Sequence, residues 1–231
     1  MKYAYDLHIH SVLSPCADEL MTPNNILNMA MLNELDFIAV TDHNSLKQLD
    51  VINEIAESYD FILIPGVEVQ VNGGHILCYF TDFDSAHEFD LFLERYIIKK
   101  DIECEQFLMD VYDSVIGQVP YYLISDVKVS FEDILKKVKQ LNGITVLSHL
   151  DRPSYSALHF INEDNIDLFD GIELSKLCDA QVFLKQNPLI RNKPLFINSD
   201  SHQIVSLSLR ENFIELKEKS IEAFFDYFGA S

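Results

Sequence analysis

The chain has 231 residues, 48% of them hydrophobic, which is enough for one sizeable buried core. Its 37 acidic residues against 17 lysines and arginines leave a formal net charge of -20, which argues against wrapping long nucleic acid through phosphate contacts. No apolar run approaches the roughly 18 residues of a membrane span, and Met1-Lys2 leads into a strand-like stretch with no signal-peptide core.

Residues 3–7 form an apolar run that ends in His8-Ile9-His10. With a period of two, both imidazoles project to one face and reach one ion. Thr22 before Pro23 predicts a helix start, with Ile26, Leu27, Ala30 and Met31 on one face. The run 37–40 leads to Thr41-Asp42-His43-Asn44, and a second helix is predicted from Ser45 to about Tyr59. A strand over 61–65 leads to Gly66-Val67-Glu68. Runs 67–71 and 76–80 flank Asn72-Gly73-Gly74 and read as a hairpin, with His75 at the start of the returning strand.

Residues 85–129 break this rhythm. They read as helical at first, then irregular around Gly117-Gln118-Val119-Pro120, and are expected to lie as an excursion over the site, too short for a core of their own. Ser130 predicts a helix cap, and Gly143 suits the C-terminal cap of the same helix. The strand 144–147 then leads to Ser148-His149-Leu150-Asp151-Arg152. A strand over 171–174 follows, and one over 195–198 leads to Ser199-Asp200-Ser201-His202. Ser220 caps a last helix that turns Ile221, Phe224, Phe225 and Phe228 inward.

Strands alternating with helices imply a parallel sheet. Six of the eight histidines fall in short segments beside apolar runs. Bringing so many strand ends to one mouth points to a distorted, incomplete (β/α) barrel, with a doubly wound open sheet as the alternative. The mixture of imidazole and carboxylate suits zinc, manganese or iron. The four cysteines (Cys16, Cys78, Cys104, Cys178) form no CxxC pair and fit a reduced, cytoplasmic setting.

In order, the motifs HIHS, SPCADELMTP, VTDHNS, IPGVEV, GGHILCYF, SHLDRPS, IELSK and INSDSH resemble those of the PHP (polymerase and histidinol phosphatase) family of metal-dependent phosphoesterases. The resemblance runs from Asp6 to His202 and is weakest over 85–129. It implies one domain over 1–231, a distorted (β/α)7 TIM-like barrel, with two to three divalent ions (Zn, Mn or Fe) at the C-terminal ends of the strands. It further implies that His8, His10, Glu68 and Asp200 hold one ion. Glu68 bridges to a second with His75 and His149, and Asp18, His43 and His202 hold a third, Glu19 competing with Asp18. Asp42 is expected to orient a histidine rather than bind metal.

The function expected from this resemblance is hydrolysis of a small phosphate monoester or nucleotide by a metal-bridging hydroxide. A nucleotide, sugar phosphate or histidinol phosphate is the expected partner. Arg152 is a candidate to bind phosphate, with a structural ion pair as its competing role, and Lys176 is a second candidate. His202 or His43 is a candidate acid for the leaving oxygen if the third ion is absent. Tyr121, Tyr122, Tyr155 and Phe160 are candidates to stack on a base or sugar, or ordinary core and rim residues. An exonuclease acting on short oligonucleotide ends, an amide hydrolase and a metal-binding module without catalysis are the competing functions.

Overall fold

The computed structural model describes residues 1–99 and 104–229. Residues 100–103, part of the expected excursion, lie outside the described residues. In chain order the elements begin with β1 (Lys2–Ile9), α1 (Pro23–Leu32), β2 (Phe37–Val40), α2 (Leu49–Ala56), β3 (Ile62–Leu63), β4 (Gly66–Val71), β5 (Gly74–Tyr79) and α3 (Phe83–Leu93). They continue with β6 (Phe107–Met109), β7 (Val115–Gln118), α4 (Phe131–Gln140), β8 (Ile144–Leu147), β9 (Gly171–Glu173), α5 (Ala180–Gln186), β10 (Leu195–Phe196), β11 (Phe213–Glu215) and α6 (Ile221–Asp226).

Two sheets carry the architecture, in the orders β11-β1-β2-β3 and β10-β9-β8-β5-β4. Pairing is parallel within β1-β2-β3 and β8-β9-β10; β5 and β11 run against their neighbours. Isolated parallel bridges, Ile9 to Ser201 and His43 to Glu68, join the two sheets at both margins. Between the sheets packs an apolar layer that includes Tyr3, Tyr5, Leu7, Phe37, Tyr79, Val146 and Phe196, into which α6 inserts Phe224 and Phe225. Outside them, α1, α2 and α4 bury Ile26, Leu27, Ile52, Ile134 and Val138. This is an α/β fold with the apolar runs buried on both faces. No helix among the described residues is long and apolar enough to cross a membrane.

A β-bulge in β1 decides where the first two histidines point. Tyr5 and Asp6 pair with Phe37 and Ile38, but Ile9 pairs with Val40, so β1 gains one residue on its partner. Before the bulge the odd residues Tyr3, Tyr5 and Leu7 face the layer between the sheets; after it Ile9 packs with the outer cluster. The extra residue reverses the alternation and brings His8 and His10 inward. A strictly regular strand would send both rings to the side of Ala4.

The helix starts read from local signals occur where expected. Thr22, Ser130 and Ser220 each accept a backbone N–H at the start of their helices. α2 begins at Leu49, not Ser45, and its cap residue Gln48 makes no side-chain capping bond. The buried Gln48 amide donates to Met109 O at 3.0 Å and accepts Met109 N–H at 2.8 Å. Gln48→Ala leaves both backbone groups of Met109 unpaired and should cost about 1–3 kcal/mol. At about 2–4 °C per kcal/mol for a chain of this size, that is a fall in Tm of several degrees, read by thermal denaturation.

Gly143 is not the left-handed cap of α4; that conformation falls on Asn142, with φ 55°. A Cβ on Gly143 would lie 2.6 Å from Tyr79 O, so glycine there permits α4 and β8 to close on β5. The described residues of 85–129 form more regular structure than the sequence suggests. α3 starts at Phe83 on an Asp82 cap, and β6 and β7 form an antiparallel hairpin. Asn44 ties the excursion down by donating to Leu123 O and Ser125 O, while Val127 N–H donates to Gln70 O.

Candidate metal centre

Glu68, fully buried in β4, is the hub. Its Oε1 lies 3.0 Å from His75 Nδ1, 3.2 Å from His8 Nε2 and 3.3 Å from His149 Nε2. Its Oε2 lies 3.1 Å from His43 Nδ1 and 3.4 Å from His10 Nε2. Asp200 Oδ1 approaches His10 Nε2 at 3.1 Å and His8 Nε2 at 3.2 Å. His202 stacks on His10 with centroids 4.2 Å apart. Three groups of donor atoms result: His8, His10, Glu68 and Asp200; His43, Glu68 and His75; and His10, His43 and His202.

The backbone holding these side chains is constrained. Asn44, His149, Tyr155 and Asp200 all adopt positive φ, between 30° and 57°. Such conformations cost roughly 1–3 kcal/mol each and persist where the surroundings fix them. Asp42 accepts Ser14 Oγ–H at 2.6 Å, and Ser14 Oγ meets His10 Nδ1 at 3.2 Å, so Asp42 orients His10 through Ser14.

Glu173 is the residue that sequence reasoning missed. Buried at the end of β9, it faces His8 Nδ1 at 3.0 Å and accepts the Asn198 amide at 2.7 Å and His149 N–H at 3.1 Å. The available signal was its position, a carboxylate closing the apolar Gly171-Ile172 run.

The donor set fits a bound cation. Glu173 accepts the Nδ1–H of His8, and Ser14, whose own hydroxyl donates to Asp42, accepts the Nδ1–H of His10. The two Nε2 lone pairs then face each other at 3.1 Å, beside carboxylate oxygens of Glu68 and Asp200. Added protons or a shared cation relieve this crowding of acceptors. Among the described residues His43 Nδ1, His75 Nε2 and His149 Nδ1 are buried with no hydrogen-bond partner, His43 Nδ1 lying near Glu68 without the alignment one needs.

Charge follows the same logic. Burial would raise the pKa of Glu68, but His75, His8 and His43 hold it well below the usual carboxylate range. Asp200 is likewise held low against its burial by His8 and His10. Burial opposes charging of His8, yet Asp200, Glu173 and Glu68 keep its pKa well above that of a free imidazole. His202 moves the other way, down to about 4, through burial and the neighbouring imidazole of His10.

Not every expected residue joins the cluster. Asp18 sits exposed on the rim, its carboxylate accepting Leu20 N–H at 2.9 Å while its backbone N–H donates to His202 O; it enters none of the three donor groups. His10 is the residue that lies with His43 and His202 in the third group. Glu19 is also exposed and outside these groups. Arg152 pairs with Asp200 Oδ2 at 2.6 Å, its side chain 41% exposed. Lys176 instead reaches the exposed Glu211. Tyr121 donates to Glu94 and Phe160 packs on Phe131, whereas Tyr155 lies on the rim against His75.

No protein-family model matches the chain. Over 91 residues it is 31% identical to the 5'-3' exoribonuclease of Haemophilus influenzae, a match covering 38% of this chain and 31% of that protein. Among solved structures it superposes on the lesion-specific endonuclease PfuEndoQ of Pyrococcus furiosus with a TM-score of 0.71 and 20% identity, covering 98% of this chain and 55% of that one. A Bifidobacterium adolescentis protein described as a metal-dependent phosphoesterase gives a TM-score of 0.64 at 17% identity, with 95% of both chains covered. A two-domain Bacteroides vulgatus protein containing a PHP-like metal-dependent phosphoesterase gives 0.62 at 18% identity, covering 100% of this chain and 63% of that one. This chain therefore spans only part of the exoribonuclease and little more than half of the endonuclease. These likenesses show that the chain has the fold of these structures, two of which are described as metal-dependent phosphoesterases, one of them PHP-like.

Proposed function

We propose that the chain is a metal-dependent phosphoesterase acting on a small phosphate monoester or nucleotide, with two to three ions of zinc, manganese or iron. The observation that carries this reading is the convergence of five imidazoles and the Asp200 carboxylate around Glu68, where the chain brings both sheets together. Bound divalent ions supply Lewis acidity there and lower the pKa of a coordinated water. The two sheets, bridged at both margins, support reading the fold as the distorted (β/α)7 barrel. The anchoring of 85–129 by Asn44 and Gln48 supports one domain over 1–231.

His8, His10, Glu68 and Asp200 would hold one ion. Glu68 and His75 would hold a second with His149, and His202 a third with His43; His10, whose Nδ1 is tied to Ser14, has only its Nε2 to give and would serve either the first ion or the third. Asp18 would need its side chain turned away from Leu20 N–H to contribute. The low pKa of His202 leaves its imidazole neutral at pH 7, which favours the ligand over the general-acid role. The position of Arg152 at the mouth, 41% exposed beside Asp200, supports reading it as a phosphate-binding residue as well as an ion-pair partner. The four cysteines, free among the described residues, support a reducing compartment such as the cytoplasm.

Exonucleolytic attack on short oligonucleotide ends is the second reading, favoured by the exoribonuclease match. Elemental analysis, followed by assays of AMP, 3',5'-bisphosphonucleotides and short oligoribonucleotides with each metal, tests both. No hydrolysis of any of them by metal-loaded protein would reject both readings.

Glu173 should act through His8. Glu173→Gln keeps the shape but loses the carboxylate that orients the ring, and should lower metal affinity or turnover about 10–100-fold. Metal titration alongside kinetics checks this, and wild-type values for both would remove Glu173 from the site.

A further inference from the structure

The cavity among the site groups holds only about 190 Å³. That is below the roughly 300–1,000 Å³ of small-molecule sites, so it admits a phosphoryl group and not a whole nucleotide. A second cavity of about 500 Å³ adjoins it, and Arg152 and Tyr155 line both. Gly73, Leu158, His159 and Phe183 are among its other walls.

Tyr155 stands at the junction, 49% exposed, its ring 4.9 Å from that of His75 and inclined by 32°. Its backbone is pinned. The φ of Tyr155 is 57°, and its carbonyl accepts His75 N–H at 3.0 Å. A Cβ on Gly74 would come within 3.0 Å of the Ala157 Cα, so glycine at this position lets the loop bearing Tyr155 seat directly on the hairpin. A half-exposed aromatic ring on a constrained backbone offers contact area with little ordering cost.

Resting on the phosphoesterase reading, we propose that the second cavity is a nucleoside subsite, where the base of a mononucleotide stacks on Tyr155 while its phosphate passes Arg152 to the metal centre. Every base presents a π-face, so stacking there is tolerant of base identity. Arg152 divides the two cavities and supplies the cation between base and reacting phosphorus. The net charge of -20 opposes additional phosphates beyond the first nucleotide.

The test compares binding of two phosphonate analogues, of AMP and of ribose 5-phosphate, to manganese-loaded protein; their C–P bonds resist hydrolysis and they differ only in the base. The AMP analogue should bind about 10-fold tighter or more, as expected for stacking on one aromatic side chain. Tyr155→Ala should bring the two analogues within about 2-fold, and Tyr155→Phe should keep the preference. In the wild-type protein loaded with zinc, which is diamagnetic and leaves proton signals sharp, nuclear Overhauser contacts should join the adenine protons to the Tyr155 ring, a readout that does not depend on a variant folding. Equal binding by the wild type, an undiminished preference in Tyr155→Ala, or a bound analogue without those contacts overturns the subsite. Failure of the phosphoesterase reading shows separately, as no hydrolysis of AMP or ribose 5-phosphate while the binding preference persists.

Discussion

Asp200→Ala and His8→Ala should each abolish turnover, because each removes a ligand of the proposed first ion and with it the Lewis acidity that ion would supply. Both residues belong to the donor group that also contains His10 and Glu68. Asp200 is the cleaner test. Its carboxylate touches His8, His10, His202 and Arg152, so its loss removes a site contact without opening the apolar layer. His8 is fully buried, and its loss also leaves the Glu173 carboxylate without its imidazole partner. Circular dichroism on both variants separates a dead site from an unfolded chain. Near-wild-type turnover in either folded variant would sink the site as drawn.

Removing metal with a chelator should abolish turnover and lower Tm, and adding back zinc, manganese or iron should restore both. Ions that bind only the folded chain stabilise it by about 2.7 kcal/mol when free metal is 100 times Kd. For a chain of 231 residues this corresponds to roughly 5–11 °C in Tm. The sign with pH is fixed by His8. Its pKa is raised well above the free imidazole value by Asp200, Glu173 and Glu68 against its burial, so protons compete with a metal there. Apparent metal affinity should therefore fall as pH drops, measurable by calorimetry in buffers of differing ionisation heat. An active chelated enzyme, with an unchanged Tm, contradicts the reading.

Much of the fold is legible from short-range signals. The caps at Thr22, Ser130 and Ser220 bond to backbone N–H groups three residues away, so the local sequence contains both partners. The hairpin around Asn72-Gly73 is equally local, with Val71 and Gly74 paired across it. The tie from Gln48 to Met109 was not legible, because the two residues lie 61 apart in the chain. Strands as short as β11 and the β6–β7 hairpin carry too few alternating residues to stand out. Glu173 obeyed the same rule that singled out the histidines, a polar residue closing an apolar run, yet its role depends on contacts with residues far away in the chain.

By itself the sequence determined the chemistry of the site: imidazoles and carboxylates placed beside apolar runs, and the order in which the strands present them. Only the tertiary structure decided how those groups partition. The bulge in β1 reverses its alternation and turns His8 and His10 inward, and His10 rather than Asp18 joins His43 and His202. The physical reason is that linear spacing sets the face of an isolated regular strand, whereas distances of 3–4 Å between remote side chains depend on register, bulges and strained backbone that long-range pairing imposes.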